Sequence, residues 1–295
     1  MMLQKGSKIA IVATARKVTF DEIAPGIAWL KENGFVPVFD ERLFASDFIF
    51  AGDDALRAAV LQSYLDNPDI AAIWLARGGY GSVRIIDRLD FTSLRQHPKP
   101  IIGFSDGTAL HATWQSHGLQ SIHAAMPYHF SEKTAAAAKQ SLIDALTGKA
   151  LRYEIACHDL NRLGEARAAV VGGNLSVLYG LLGSSTFPDT RGKILFLEEV
   201  DEYIYHVERM MIGLQRAGAL RHLKALVVGG LTDIHDNPEP FGKTVEQAIS
   251  DVVSAYHYPV CFGFPAGHFS DNRAIIMGAE MFLQVNQNQV VAEQN

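Results

Sequence analysis

The stretch Pro100-Ile-Ile-Gly-Phe-Ser-Asp-Gly-Thr108 carries the pattern on which the fold prediction rests. Ile101 and Ile102 indicate a short buried strand, and a segment of helical character opens at Gly107. A strand, a sharp turn and a helix with the spacing Gly-x-Ser-x-Gly are typical of a nucleophile elbow. Such a turn would expose the Ser105 hydroxyl at the carboxyl end of a sheet, beside the free N–H groups of the helix. A serine that merely caps a helix would explain the same short motif. The catalytic interpretation therefore needs a base, an acid and oxyanion donors elsewhere.

Buried strands alternate with helices through the first half of the chain. This alternation predicts right-handed crossovers and a mostly parallel sheet, in an amino-terminal Rossmann-like α/β domain of residues 1–150. Sites in such sheets gather at the carboxyl ends of the strands, where the glycine-rich stretches 77–81 and 103–107 both fall. The predicted strands are 8–13, 35–38, 70–75 and 101–102, and the predicted helices are 21–33, 53–65, 83–89 and 134–146.

Between Gly148 and Gly164, polar residues interrupt the alternation of predicted strands and helices. We place an inter-domain linker there and predict a carboxy-terminal, β-rich α/β domain of residues 165–295. Within it, residues 274–277 and 281–285 are predicted to form a closing β pair.

Composition limits the function classes. The 295 residues are 48% hydrophobic and 20% charged, which is enough for a large core in one or two domains. The net charge of -6, without a basic run, argues against nucleic acid as a partner. Cys157 and Cys261 stand far apart, so neither a disulfide framework nor a zinc site is indicated. The apolar run from Ile9 to Ala13 is too short for a signal peptide or a membrane span, and we expect a soluble, cytoplasmic protein with no membrane association.

A serine nucleophile needs an oriented histidine and an acid. Among eleven histidines, His268 follows a predicted strand in a turn fixed by Pro265 and Gly267, which suits a base. Glu198 ends the apolar strand 193–197 and could accept a hydrogen bond from that histidine. The next residue, Glu199, is interpreted instead as an acidic lead-in to the following helix.

Two glycine-rich stretches could contribute backbone donors or line a cleft. Arg77-Gly-Gly-Tyr-Gly81 and the N–H of Asp106 could form an oxyanion hole, and Gly172-Gly-Asn174 could line the site from the second domain. A plain tight turn is an equally good explanation for each stretch alone. No Walker sequence or dinucleotide fingerprint is present, so no nucleotide cofactor is predicted. Metal-ligand spacing is also absent, and Asp233-Ile-His-Asp236 is interpreted as a polar loop.

Taken in order, these motifs resemble the L,D-carboxypeptidase family of serine peptidases, which includes muramoyltetrapeptide carboxypeptidases and microcin-immunity peptidases. The resemblance covers nearly the whole chain. It rests on five stretches: Arg77-Gly-Gly-Tyr-Gly81, Gly103-Phe-Ser-Asp106, Gly172-Gly-Asn-Leu175, Leu197-Glu198 with the helix through Arg209, and Gly267-His268.

The resemblance implies a Ser-Glu-His triad of Ser105, Glu198 and His268, with oxyanion donors from the backbone of Gly79 and Asp106. Gly78 and Asn174 are predicted to bind the substrate. It implies a metal-free, cofactor-free cytoplasmic enzyme, commonly a homodimer. Such an enzyme removes the terminal D-alanine from a murein-derived tetrapeptide during cell-wall recycling.

Two segments depart from the family pattern. Thr14-Ala-Arg-Lys17 replaces a Pro-Ser-Gly-like turn, and His123-Ala-Ala-Met-Pro127 replaces the usual His-Gly-Pro. Both could reshape the substrate cleft. Three alternatives stay open: a related amidohydrolase of the microcin-immunity type, an α/β-hydrolase-like esterase built on one continuous sheet, and a non-catalytic binding module in which Ser105 only caps a helix.

Overall fold

The computed structural model describes residues 2–295, and the chain folds as two sheets flanked by helices. The strands are β1 (Lys8–Val12), β2 (Val36–Val38), β3 (Ile70–Leu75), β4 (Ile101–Gly103), β5 (Ser121–His123), β6 (Leu151–Ala156), β7 (Gly164–Asn174), β8 (Ile194–Val200), β9 (Ala225–Thr232), β10 (Val260–Cys261), β11 (Ile275–Met277), β12 (Glu280–Val285) and β13 (Gln289–Gln294). The α-helices are α1 (Phe20–Glu32), α2 (Asp54–Asp66), α3 (Thr92–Gln96), α4 (Thr108–Ser116), α5 (Ala136–Thr147), α6 (Leu175–Gly180), α7 (Ile204–Arg216) and α8 (Val245–Val252).

The first sheet has the order β11-β5-β4-β3-β1-β2, and β1 to β5 run parallel to one another. Its central strand β3 is the continuous apolar run IAAIWL, as expected where helices cover both faces of a sheet. The second sheet has the order β10-β9-β8-β7-β12-β13-β6, with a parallel half from β7 to β10 and an antiparallel half. The predicted fold class, a parallel-sheet α/β half followed by a β-rich α/β half, is confirmed.

The two sheets share one apolar core. A single cluster of buried side chains joins Trp74 and Ile102 of the first sheet to Ile194, Phe196 and other residues of the second. Two further clusters lie on the outer faces, one beneath each set of helices. The amphipathic helix α7 closes the outer face of the second sheet with five buried residues: Ile204, Val207, Met210, Met211 and Leu214.

The closing β pair predicted for residues 274–277 and 281–285 is wrong. The strand β11 crosses to the first sheet and pairs antiparallel with β5, whereas β12 pairs with β7 and β13. Between β11 and β12 the chain is held by Val170, whose carbonyl accepts from the Gly278 N–H at 2.7 Å. Because β7 and β13 occupy both edges of β12, no edge of β12 remains for a hairpin with β11.

Two other segments differ from the prediction. In place of the predicted helix 83–89 the chain forms two 3₁₀ turns, Ser82–Arg84 and Ile86–Arg88. The segment is held at both ends, since the Ser82 N–H donates to Asp106 and the Asp90 N–H donates to Gln62. The polar stretch predicted as a linker, residues 148–164, contains β6, which pairs with β13 at the edge of the second sheet. The domain bounds 1–150 and 165–295 stay predictions.

Across residues 2–295, no helix is both long enough and apolar enough to cross a lipid bilayer.

Candidate active site

The candidate nucleophile stands on a sharp turn between β4 and α4. Ser105 has a φ of 61°, in the left-handed region that side chains other than glycine rarely adopt. A Cβ atom at Gly103 or Gly107 would approach the Leu75 side chain to 2.8 or 2.9 Å, which explains the glycine on either side of the serine. Backbone strain of this kind costs of order 1–3 kcal/mol and is concentrated at functional sites.

The Ser105 hydroxyl does not cap the helix that follows it. The residue at the cap position of α4 is Gly107, and no side-chain cap hydrogen bond is formed there or at the preceding 3₁₀ turn. The side chain is partly exposed and lines a cleft of about 440 Å³. Its conformation therefore has no explanation in helix capping.

Glu198 and His268 are brought together by the second sheet. Glu198 lies near the end of β8, fully buried, and its Oε2 accepts a hydrogen bond from His268 Nδ1 at 2.6 Å. Gly267 has a φ of 140°, and a Cβ there would stand 3.3 Å from Glu198 Oε2. The Gly267 N–H donates to Asn272 Oδ1 at 3.0 Å, which fixes the turn that presents the histidine.

The environment of His268 favours its charged form. Burial by itself lowers the pKa of the imidazole, but the charge and hydrogen bond of Glu198, with the charge of Glu199, outweigh it and raise the pKa above the ordinary 6.5. The ring packs against Phe104, with 4.8 Å between ring centroids. A histidine held this way has Nδ1 hydrogen-bonded to Glu198, which leaves Nε2 available to accept a proton.

Ser105 follows β4 of the first sheet, His268 lies in the loop after β10 of the second, and both line the same cleft. No hydrogen bond joins them in this structure, and such contacts often tighten only when substrate is bound. Also facing the cleft are Gly78, Gly79 and Asn174, which were predicted as oxyanion or substrate-binding residues. Their catalytic roles, like those of Ser105, Glu198 and His268, stay predictions.

Asp106 ties the glycine-rich loop to the nucleophile turn. Its buried carboxylate accepts from the N–H groups of Gly81 at 3.3 Å and Ser82 at 2.8 Å. Burial raises the pKa of Asp106, although the hydrogen bonds from Ser82 and Gly81 oppose the rise. At the other end of the loop, a Cβ at Gly78 would lie 3.1 Å from Ser105 Cβ and 3.2 Å from its Oγ. Only glycine at this position leaves the hydroxyl free to turn.

The interpretation of Glu199 as only an acidic lead-in to the following helix is wrong. Its side chain is buried and accepts from Asn174 Nδ2 at 2.9 Å and from the Ser176 N–H at 2.7 Å. A register shift between Leu197 and Glu199 interrupts the ladder to β9 at this point. The only signal in the sequence was two adjacent acids at the end of an apolar strand. Burial raises the pKa of Glu199, opposed by the Val200 and Asn174 hydrogen bonds and supported by the charge of Glu198.

The segment 123–127, which departs from the family pattern, packs against residues next to the candidate site. His123 is fully buried between the rings of Phe104 and Phe196, at centroid distances of 5.7 and 4.9 Å. Burial and the nearby histidines hold its pKa well below the ordinary value, so it is neutral at physiological pH. Met126 Cε lies 3.3 Å from the position of a Cβ at Gly78.

A second cavity of about 310 Å³ adjoins the cleft, and His129 and His268 line both. Phe104, Lys133 and Ser270 are among its walls. Within residues 2–295, no group of three or more His, Cys, Asp or Glu side chains is arranged to hold a metal ion.

The chain resembles known proteins along its whole length. Residues 9–124 match the family model for the LD-carboxypeptidase N-terminal domain, and residues 167–283 match the model for the C-terminal domain. The probable murein peptide carboxypeptidase of Bacillus subtilis (strain 168) is 30% identical, over 99% of this chain and 93% of the relative. The murein tetrapeptide carboxypeptidase of Pseudomonas aeruginosa is also 30% identical, over 95% of this chain and 94% of the relative.

The microcin C7 self-immunity protein MccF of Escherichia coli is 26% identical, over 91% of this chain and 87% of the relative. Among solved structures, the muramoyltetrapeptide carboxypeptidase from Oxalobacter formigenes superimposes with a TM-score of 0.89. It is 27% identical, and the match covers 98% of both chains.

Proposed function

Because the chain belongs to the LD-carboxypeptidase family, we propose that it is a serine-type carboxypeptidase that hydrolyses an L,D-peptide bond and releases the terminal D-alanine of a murein tetrapeptide. The observation that supports the proposal is the cleft lined by both Ser105 and His268, whose Nδ1 is paired with the buried Glu198. The names of the relatives support the substrate class. A role in cell-wall recycling, a cytoplasmic location and a homodimeric assembly complete the proposal.

In the proposed mechanism, His268 Nε2 removes the Ser105 proton as Oγ attacks the carbonyl carbon of the L,D-peptide bond. Glu198 holds the ring through Nδ1 and stabilises the imidazolium that forms. The imidazolium then gives its proton to the amide nitrogen, the C–N bond breaks, and D-alanine leaves. Water, deprotonated by His268, hydrolyses the acyl-enzyme and regenerates the Ser105 hydroxyl.

We assign stabilisation of the negative charge that develops on the carbonyl oxygen to the backbone N–H groups of Gly79 and Asp106. Donors of this kind contribute about 3 kcal/mol each. Asn174 is assigned to substrate binding, and its side chain is positioned by Glu199. Gly78 is assigned to substrate binding beneath the scissile bond, where a Cβ atom would crowd the Ser105 side chain.

Of the alternative functions, the microcin-immunity amidohydrolase is supported by sequence similarity, whereas the α/β-hydrolase-like esterase is not supported by the sheet topology. The similarity to MccF leaves an amidohydrolase of the microcin-immunity type as the second candidate. An α/β-hydrolase-like esterase required one continuous sheet carrying all three residues. Here Ser105 follows β4 of the first sheet, whereas Glu198 lies in β8 of the second sheet and His268 lies in the loop that follows β10 of that sheet. We therefore do not propose an esterase.

The test is the release of D-alanine from L-Ala-D-Glu-meso-diaminopimelate-D-Ala by the wild type and by Ser105→Ala, both with a chelator present. We expect release by the wild type and a loss of roughly 10³-fold or more in the variant. Ser63→Ala, which removes a serine hydroxyl from helix α2, is the matched control and should keep full activity. Full activity in Ser105→Ala would refute the serine mechanism. Cleavage of aminoacyl amides but of no murein peptide would select the second candidate.

A further inference from the structure

Arg16 stands beside the glycine-rich loop on a firmly held stretch of backbone. Residues 15–17 pair with residues 49–51: the Ala51 N–H donates to the Ala15 carbonyl at 3.0 Å, and the Lys17 N–H donates to the Ile49 carbonyl at 3.1 Å. The Arg16 side chain is exposed and lines the cleft that contains Ser105 and His268.

The stem of Arg16 covers Gly79. A Cβ at Gly79 would lie 2.6 Å from Arg16 Cδ, 2.7 Å from Cγ and 3.3 Å from Nε. The loop residue before it, Gly78, makes the corresponding approach to Ser105. The Arg16 side chain therefore packs on Gly79, the residue directly after the glycine that lies under Ser105.

The charges around the cleft leave Arg16 without a partner among the described residues. The other arginine of the cleft, Arg77, pairs with Glu22 at 3.6 Å and stacks on Tyr128, with 3.8 Å from its Cζ to the ring centroid. The two acids of the cleft are engaged as well: Glu199 binds Asn174 and Ser176, and Asp201 binds His235. Arg16 forms no ion pair within residues 2–295.

A carboxypeptidase substrate brings a negative charge to this position. The carbon of the terminal carboxylate is three covalent bonds from the carbon of the scissile carbonyl, so the two lie within about 4 Å of each other. A carbonyl held over Gly79 would place that carboxylate next to whatever covers the loop. A guanidinium is suited to carboxylate recognition because its donors match the two oxygens.

We infer that Arg16 binds the free carboxylate of the residue released from the substrate and so determines the preference for a chain terminus. The inference rests on the proposed function, and it adds a specificity residue from a segment that departs from the family pattern. Arg16 contacts neither the nucleophile nor the base in this assignment.

The test measures binding instead of turnover. In Ser105→Ala, the affinity for L-Ala-D-Glu-L-Lys-D-Ala is compared by calorimetry with the affinity for the same peptide ending in a carboxamide. We expect the acid to bind roughly 10- to 100-fold more tightly, as for one charge-assisted hydrogen-bonded contact. Arg16→Met should remove that preference and leave the amide affinity within about threefold, and Arg16→Lys should restore part of it.

Lys17→Met is the matched control, since it removes the neighbouring cation, whose Nζ contacts Ser46 Oγ at 3.0 Å. It should keep the preference for the acid. Equal affinity for acid and amide with Arg16 intact, equal weakening of both by Arg16→Met, or no binding of the acid would each overturn the inference.

Turnover by the wild type separates this inference from the proposed reaction. If the wild type releases no D-alanine but Ser105→Ala prefers the acid in an Arg16-dependent way, the hydrolase proposal fails and the carboxylate site stands. If D-alanine is released but the preference does not depend on Arg16, the reverse conclusion holds.

Discussion

At the scale of single residues, the pair of Glu198 and His268 sets the expected response to pH. Serine attack requires the neutral imidazole, and the raised pKa of His268 keeps the ring protonated to a higher pH than usual. We expect kcat/KM to rise with pH through a midpoint above the ordinary 6.5 and then to level off. A pH profile on the tetrapeptide measures this midpoint.

Glu198→Gln provides the second half of the same prediction. Removal of the negative charge lowers the pKa of His268, so the midpoint should move to lower pH. The plateau should fall by roughly 10²- to 10⁴-fold because an amide does not stabilise the imidazolium. Glu239→Gln, a charge change at an exposed loop position, should move neither quantity. A midpoint below 6.5 in the wild type, or one unchanged by Glu198→Gln, would contradict the assignment.

Sequence patterns identified residues where their chemistry is local, and missed residues whose role comes from packing. Ser105 comes just after an apolar strand, Glu198 lies near the end of another, and His268 lies in the loop after a third, so their position at the carboxyl ends of strands was predictable. Glu199 looked like a solvated acid because nothing in the sequence shows that Asn174 lies 2.9 Å away. Its role depends on the pairing of β7 with β8, a contact between residues more than twenty positions apart.

At the scale of elements, the glycine-rich loop 77–81 and the start of α4 form one unit. The Asp106 carboxylate holds the loop from one side, and the buried Arg57 guanidinium holds it from the other by donating to the carbonyls of Gly81 at 3.0 Å and Thr14. Both anchors act through the backbone. The position of Gly79 relative to Ser105 therefore depends on two side chains that do not line the cleft.

Asp106→Asn tests this coupling. An amide offers one acceptor where the carboxylate offers two, so one of the two loop N–H groups loses its partner, at a cost of about 1–3 kcal/mol in unfolding free energy. We expect a lower melting temperature together with a kcat reduced by more than tenfold, since oxyanion donors depend on the loop. Denaturation and steady-state kinetics measure the two effects. Asp87→Asn is a control at an exposed position. An unchanged kcat would show that the loop needs no anchor.

The parallel strands β1 to β4 were predictable because each is a compact apolar run, whereas β5, with the sequence Ser-Ile-His, was not predicted. The pairing of the short strand β11 was not predictable, since residues 275–277 could pair with either sheet as far as their composition shows. On the edge that does not face β5, Gln294 of β13 satisfies the backbone of β11: its side-chain amide accepts from the Ile276 N–H and donates to the Ile276 carbonyl, both at 2.9 Å. A long-range contact of this type leaves no local pattern.

At the scale of the whole molecule, the shared core predicts cooperative unfolding. All three tryptophans, Trp29, Trp74 and Trp114, lie in the first half of the chain, so their fluorescence reports that half alone. Far-ultraviolet circular dichroism reports both sheets. Because one buried cluster spans the sheets, we expect the two transitions to coincide within about 2 °C.

Gln294→Ala should lower both transitions together, because the buried amide connects β13 to a strand of the first sheet. Asn288→Ala, at the exposed turn before β13, should change neither. Two separated transitions, or a shift confined to one probe, would show that the halves unfold independently.

The crossing of β11 also determines when during biosynthesis the enzyme can first act. A ribosome delivers Ser105 early, then Glu198 and His268, and only afterwards the strand Ile275–Met277 that completes the edge of the nucleophile's own sheet. At about 5–20 residues per second, the chain carries its serine for roughly 10–30 s before base and edge strand emerge. Under the proposed mechanism, an unfinished or truncated chain therefore has a nucleophile without a base, and we expect hydrolysis to begin only with a nearly complete polypeptide.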